Sequence, residues 1–283
     1  MGRLALETTI LTHGVPRDAA LPLARELAAI CTKNGAEPAL VGVFRGQPIA
    51  GMSESQLVEM LNSGEVAKAN SANLGALIFQ QSHASTTVAA TMEIAAGAGI
   101  KVFATGGIGG VHQGFAQHLD ISADLLALTR FAVAVIASGV KSILDVLATR
   151  ELLETLGVPV IGFQTSEFPA FYLRESGAGV DARFDDVQSL AGFIRKELER
   201  TGRGILIVNP IPKADELDRA QFSGWLDSAR SELGDAAKGR QATPALLARL
   251  HALSGGKTLE ANLALIRSNV EVGSRLAAAL GNH

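Results

Sequence analysis

The chain contains one cysteine, one tryptophan and one tyrosine in 283 residues. A lone thiol, Cys31, excludes an internal disulfide and any metal site built on several cysteines. Aromatics make up only 5% of the chain, so a core has to be assembled mainly from Ala, Val, Leu and Ile. Lys and Arg form no dense block, and the formal net charge is −3, which argues against nucleic acid as a partner. It leaves room for an anionic small ligand, because one lysine and a few backbone amides hold a phosphate. No apolar window reaches the ~18 residues of a membrane span. The uncharged stretch 69–92 is interrupted throughout by Asn, Ser, Gln and Thr. The start, Met1-Gly2-Arg3-Leu4-Ala5-Leu6-Glu7, lacks the apolar region of a signal peptide. A cytoplasmic protein with neither membrane nor nucleic-acid partner is therefore expected.

What is present is apolar and rich in glycine: 47% hydrophobic residues and 30 glycines. Short apolar runs read as strands over Leu4–Ile10, Ala39–Phe44, Ile100–Ala104, Ala132–Ala137, Val158–Phe163 and Gly204–Val208. Their lack of charge is what strands covered on both faces require. Between them lie helical patterns at Arg17–Lys33, Ser53–Leu61, Thr86–Ala96, Ser122–Leu128, Ser142–Leu156, Val187–Thr201, Pro244–Leu253 and Leu259–Leu280. Arg17–Lys33 puts Ala20, Leu23, Leu27 and Ile30 on one face, and Ser53 with Gln56 forms a capping box. The alternation predicts one α/β domain over residues 1–283. Its architecture is a three-layer α/β/α sandwich with a mostly parallel or mixed central sheet, onto which the helical segment after Pro212 packs.

The most informative stretch runs from Val102 to Asp124. A strand empties into Thr105-Gly106-Gly107-Ile108-Gly109-Gly110-Val111-His112, then Asp120-Ile121-Ser122-Ala123-Asp124 follows. Glycines let a backbone approach a ligand closely and present its N–H groups. The spacing fits neither Gly-x-Gly-x-x-Gly, because His112 occupies the last position, nor the Gly-x-x-x-x-Gly-Lys loop of nucleoside triphosphate sites. Asp120 and Asp124 would share a face if their turn is helical, and such oxygen ligands suit Mg2+ or Mn2+. A capping Asp followed by a first-turn Asp is the plain alternative.

Two further residues stand where chemistry is possible. Glu7 ends an apolar strand, where burial would raise its pKa toward the range useful for proton transfer; the alternative is a solvent-facing strand end. Lys141 follows Ile136-Ala137-Ser138-Gly139-Val140, where desolvation would free a neutral amine for Schiff-base chemistry. Its alternative is a helix-start lysine in water. Gln81 to Val88 enters a helix through several hydroxyls, either as an anion site or as a capping cluster. His13-Gly14 and Lys68 taken singly read as structural.

In order along the chain, the segments Ala5-Leu6-Glu7-Thr8-Thr9-Ile10, His13-Gly14, Thr86 to Met92, Ile100 to Asp124 and Lys141 to Asp145 resemble the pseudouridine-5′-phosphate glycosidase, or indigoidine synthase A-like, family. Gly157 to Gly162, Gln164-Thr165, Pro169-Ala170-Phe171, Asn209-Pro210-Ile211-Pro212, Thr243-Pro244 and Asn262 continue the match. The resemblance implies reversible cleavage of the C–C glycosidic bond of pseudouridine 5′-phosphate to uracil and ribose 5-phosphate, with a divalent metal, typically Mn2+. It implies Lys141 as the Schiff-base nucleophile, Glu7 as the proton shuttle and Asp120 as the metal holder through waters. Lys68, Thr105, His112 and Ser122 would surround phosphate and sugar. Val88, Ala123, Asp124 and Asn262 would line the rest, in a homotrimer. The chain departs from the family in two places. Asn70-Ser71-Ala72-Asn73-Leu74 stands where Ser-Arg-Arg-Asp-Leu is usual, and Gly239-Arg240-Gln241 where Gly-Lys-Glu is common. The alternatives are the same chemistry on another phosphorylated C-glycoside or sugar phosphate, or a non-catalytic sugar-phosphate-binding protein.

Overall fold

A computed structural model describes residues 1–64, 66–234 and 242–281; Gly239-Arg240-Gln241 lies outside them. The N-terminal half holds β1 (Gly2–Glu7), a single π-helical turn (Ile10–Gly14), α1 (Arg17–Lys33), β2 (Ala36–Phe44), β3 (Gln47–Ala50), α2 (Glu54–Asn62), β4 (Ala67–Ala69), α3 (Leu74–Phe79), β5 (Ala84–Thr86), α4 (Val88–Gly97) and β6 (Val102–Ala104). Then come α5 (Phe115–His118), α6 (Ala123–Arg130), β7 (Ala134–Ala137), α7 (Val146–Thr155), β8 (Val160–Phe163), β9 (Ala182–Phe184), α8 (Val187–Thr201) and β10 (Ile205–Val208). A 3-10 turn (Lys213–Asp215) leads to α9 (Arg219–Leu233), α10 (Ala242–Leu253) and α11 (Lys257–Gly281).

Ten strands form one sheet in the order β4-β5-β2-β1-β6-β7-β10-β8-β9, with β3 hairpinned onto β2. The seven strands from β2 to β9 along this order run parallel, whereas β5 and β3 are antiparallel to β2. The expected mixed sheet is what forms. Helices α1 and α11 cover one face, α11 lying across β1, β2, β6 and β7; α4, packed on α6, covers the other. All four residues of β7, Ala134–Ala137, and of β10, Ile205–Val208, are fully buried, as strands between two helical layers must be. The chain leaves β1 toward β2 on one side and later places β6 on the other. Such a reversal opens a crevice at the carboxyl ends of the strands, the usual ligand position in open α/β sheets.

Several boundaries differ from the sequence expectation for local reasons. The first strand stops at Glu7 rather than Ile10, because the Thr8 carbonyl accepts the N–H groups of Leu11 and Thr12 (both 3.1 Å). The hydroxyls of Thr8 and Thr9 donate across to the carbonyls of Val41 (2.9 Å) and Thr86 (2.7 Å) and pull the chain out of register. The helix expected from Ser142 starts at Val146, capped by Asp145 through the Ala148 N–H (3.0 Å). Strands β4, β5 and β9 have three residues each, too few for a periodicity to be read. The capping box forms as expected: the Gln56 N–H donates to Ser53 Oγ (3.3 Å) and the Ser53 N–H to Gln56 Oε1 (2.9 Å). Helix α11 is no appendage, since Val270, Leu276 and Ala277 are buried in the main core.

Two substitutions separate core from cap. Leu4 of β1 is fully buried, and Leu4→Ala should cost about 2–5 kcal/mol. Ser53→Ala at the exposed start of α2 should cost about 1 kcal/mol. Urea unfolding of both variants checks the ranking; equal losses would mean that β1 is not central.

Candidate active site

Glu7, the last residue of β1, and Thr105, the first after β6, meet where the crevice opens. The Thr105 hydroxyl donates to Glu7 Oε1. Burial pushes the Glu7 carboxyl above its ordinary range, opposed by Lys141, the Thr105 hydrogen bond and Lys68, and reinforced by Asp124. The structure also brings Lys68 of β4 and Lys141, after β7, into the field of the same carboxylate. Burial and the Lys141 cation push the Lys68 amine below its ordinary range, and Glu7 opposes them. His13, on the π-helical turn, sits 3.4 Å from Ser85 Oγ through Nδ1. Desolvation and the Lys68 cation push it down to about 4, so the imidazole is neutral at neutral pH.

The glycine run joins these residues to the rest of the pocket. None of Gly106, Gly107, Gly109 and Gly110 has a left-handed φ; they are glycines for space. A Cβ on Gly107 would lie 2.6 Å from Cδ2 of Phe171, whose ring fills that slot. A Cβ on Gly109 would lie 2.8 Å from Asp124 Oδ2. Phe171 itself is held at φ 61°, an outlier for a bulky residue, with its N–H on the Ser138 carbonyl (2.9 Å). Lys141 follows directly in this frame: its N–H donates to the Ile108 carbonyl (3.1 Å) and its side chain is half-buried.

Asp124 is buried, and both of its oxygens accept backbone N–H groups, Oδ1 from Ala89 (2.9 Å) and Oδ2 from Gly109 (2.8 Å). It ties the start of α4, where Val88 is buried, to the middle of the run. Ser122 caps α6 through the Asp124 N–H (3.2 Å), with Ala123 as the first helical residue. Asp120 lies before this helix, so the condition for a shared helical face with Asp124 is not met, and Ser122 rather than Asp120 is the capping residue. The Asp120 main-chain carbonyl instead accepts the His112 N–H (3.0 Å), and its carboxylate lies 3.6 Å from His112 Nδ1. These two side chains pair at the outer end of the run. Asn262 of α11 reaches the inner end, its Oδ1 3.3 Å from where a Gly106 Cβ would stand.

Among the described residues no group of three or more His, Cys, Asp and Glu could cage a metal ion. The donor set at Asp120 is one half-buried carboxylate beside one imidazole. That suits a hydrated Mg2+ or Mn2+, which takes one or two carboxylates and completes its shell with waters and substrate oxygens. No described helix is long and apolar enough to cross a membrane.

Sequence reasoning missed three residues behind the pocket. Asn269 of α11, fully buried, donates through Nδ2 to the Thr105 carbonyl (2.8 Å), with Ser138 Oγ at 3.1 Å, and accepts at Oδ1 from Asn209 Nδ2 (3.0 Å). The signal available was an amide in an apolar helical register, among Leu265, Ile266, Val270 and Gly273. The segment after Lys68 is closed on itself: Asn70 Oδ1 accepts the Ala72 and Asn73 N–H groups, and Asn73 Nδ2 donates to the Lys68 carbonyl (2.9 Å).

The fold recurs in known proteins. The family model described as indigoidine synthase A like protein matches residues 3–279. A protein of Alkaliphilus metalliredigens named pseudouridine-5′-phosphate glycosidase is 43% identical over 280 residues, covering 98% of this chain and 91% of its own. One of Methylobacterium nodulans, with the same name, is 45% identical over 279 residues, covering 98% and 83%. The crystal structure of an indigoidine synthase A-like protein from Thermotoga maritima superposes with a TM-score of 0.91 at 34% identity, covering 99% of this chain and 93% of that one. The prealnumycin C-glycosynthase in complex with ribulose 5-phosphate superposes with a TM-score of 0.90 at 33% identity, covering 99% and 91%. With a match across nearly its whole length and identities above 40%, this chain belongs to the indigoidine synthase A-like family.

Proposed function

We propose that this protein is a pseudouridine-5′-phosphate glycosidase that cleaves the C–C glycosidic bond reversibly, giving uracil and ribose 5-phosphate through a Schiff base on Lys141. The observation that carries the reading is a desolvated carboxyl, Glu7, facing two lysines in a strand-end crevice. The names of its relatives support the substrate. A neighbour of the same fold that binds ribulose 5-phosphate supports a sugar-phosphate pocket.

The chemistry explains why such a set is needed. A C-glycoside has no leaving nitrogen to protonate, so the sugar must become the electron sink. In the proposed cleavage the Lys141 nitrogen bonds to the anomeric carbon as that carbon's bond to the ring oxygen breaks. Protonated Glu7 delivers a proton to that oxygen. The nitrogen, now carrying four bonds, returns a proton to the Glu7 carboxylate; its freed lone pair forms the C=N bond while the C–C pair leaves with the base, whose carbon takes that proton from Glu7. Water adds to the resulting iminium and returns ribose 5-phosphate and the free amine. Lys68 answers the phosphate charge beside Thr105, His112 and Ser122, and Val88, Ala123 and Asn262 shape the remaining wall. Asp124 acts from behind, by fixing Gly109 and Ala89. Asp120 would hold a hydrated Mn2+ or Mg2+, which supplies positive charge to substrate oxygens.

A second reading keeps the same chemistry on another phosphorylated C-glycoside. It is favoured by the Asn70–Asn73 turn, whose two asparagine side chains are turned on the local backbone and which carries no arginine. Comparing pseudouridine 5′-phosphate with C-ribosides bearing other bases separates the two readings.

The nucleophile is tested by borohydride trapping. Incubation with ribose 5-phosphate and reductant should leave a mass adduct on Lys141, and Lys141→Ala should abolish both adduct and cleavage. An adduct on Lys68 would reassign the nucleophile.

A pH experiment tests Glu7. The Thr105 hydroxyl holds the Glu7 carboxyl down, so Thr105→Val leaves burial less opposed and the pKa rises. The proton donor then persists to higher pH, and the alkaline limb of the cleavage profile should move up. A limb that stays in place removes Glu7 as that donor.

We also propose a homotrimer. Phe115, Leu119, Ile121 and Leu147 stand exposed around the His112–Asp120 end of the pocket, an apolar rim that assembly would cover. Light scattering should return three times the mass of one chain, and a monomer's mass would refute it.

A further inference from the structure

The Asn269 amide lies behind the pocket, two turns along α11 from Asn262 and far along the chain from Glu7, Thr105 and Lys141. It is fully buried in the middle of α11. Its two N–H groups face three acceptors: the Thr105 carbonyl at 2.8 Å, the Gly106 carbonyl at 3.3 Å and Ser138 Oγ at 3.1 Å. Its oxygen accepts from Asn209 Nδ2 at 3.0 Å. The two carbonyls fix which end of the amide is nitrogen, since carbonyls only accept. Thr105 continues β6, Ser138 continues β7 and Asn209 continues β10, so one side chain joins three strand ends just where they leave the sheet. A neutral side chain with two donors and one acceptor in this plane is what the three ends need. Leucine matches the volume and satisfies none of them.

Two of the joined residues lead directly to the proposed chemistry. Thr105, whose carbonyl Asn269 holds, donates its hydroxyl to Glu7. Ser138 lies three residues before Lys141, and its carbonyl holds the N–H of Phe171, the residue wedged against Gly107. We infer that Asn269 is a positioning residue that sets the Thr105 hydroxyl on Glu7 and the strand end that delivers Lys141, and so aligns proton donor and nucleophile. This rests on the roles proposed for Glu7 and Lys141. A displacement of about 1 Å at a reacting group is enough to lower turnover by about 10²-fold.

The test reads Glu7 itself as well as turnover. The charged groups facing Glu7 are Lys141, Lys68 and Asp124, and none of them is altered in the variants. Asn269→Leu, neutral and of similar volume, should lower kcat by about 10²-fold with a much smaller change in KM. It should move the alkaline limb of cleavage upward by as much as Thr105→Val does, and the double variant should move it no further. In parallel, the Glu7 side-chain carboxyl carbon, assigned with Glu7→Gln, is titrated by 13C NMR with and without each substitution. Asn209→Ala serves as the control: it loosens the same buried cluster without touching Thr105, and should lower stability while leaving the limb in place. If Asn269→Leu does not fold, Asn269→Ser, neutral and still a donor, should give a smaller shift in the same direction. Unchanged Glu7 titration in the folded variant, or an equal limb shift in Asn209→Ala, would reduce Asn269 to a core residue. If the unmodified protein cleaves no pseudouridine 5′-phosphate, the proposed function fails, while the Glu7 titration still decides the link from Asn269 to Glu7.

Discussion

One buried amide joins the ends of three parallel strands, and the pocket is built on that junction. Where β6, β7 and β10 stop, the ladder can no longer satisfy every main-chain group, and the chain must open without leaving buried polar atoms unpaired. Asn269 answers part of that demand from the helix that crosses the sheet. The strand ends can then diverge by a fixed amount, and the glycine run can leave β6 in a fixed direction. Phe171 and Asp124 hold the run from its two sides, which is why bulk is excluded at Gly107 and Gly109.

Charge in the pocket is arranged with the same economy. Four ionisable groups, Glu7, Lys68, Asp124 and Lys141, act on one another in a partly dry space. Asp124 commits both oxygens to backbone N–H groups and so acts as framework. That leaves Glu7 as the carboxyl free to exchange a proton, with its affinity raised by burial and trimmed by the Thr105 hydroxyl. The two lysines share one carboxylate, and the burial that raises Glu7 lowers Lys68. A shared low-dielectric pocket drives acids and bases toward each other's range, which is the condition for proton transfer at neutral pH.

The long elements were legible because their signals are local and repeated. Arg17–Lys33 and Val187–Thr201 form helices with the bounds that their apolar stripes and caps predict. The apolar runs around Val102, Val135, Ile161 and Ile207 form buried strands. What escaped was short or depended on distant partners. β4, which carries Lys68, has three residues and exists because β5 pairs with it. The end of β1 moved to Glu7 because Thr8 and Thr9 bond to Val41 and Thr86, over thirty and seventy residues away. Asp120 and Asp124 separated because Ser122 caps α6 between them.

By itself the sequence determined the layered α/β class, the glycine run and the residue types able to carry acid–base and amine chemistry. Those follow from periodicity, side-chain volume and charge, which each segment carries with it. Only the tertiary structure decided which residues meet. It brought Lys68 from an edge-side strand to the field of Glu7, tied Asp124 to the N–H groups of Ala89 and Gly109, and set Asn269 behind Thr105. Hydrogen bonds and desolvation act through space over a few ångströms, and no local pattern encodes which distant strand end will lie within that range.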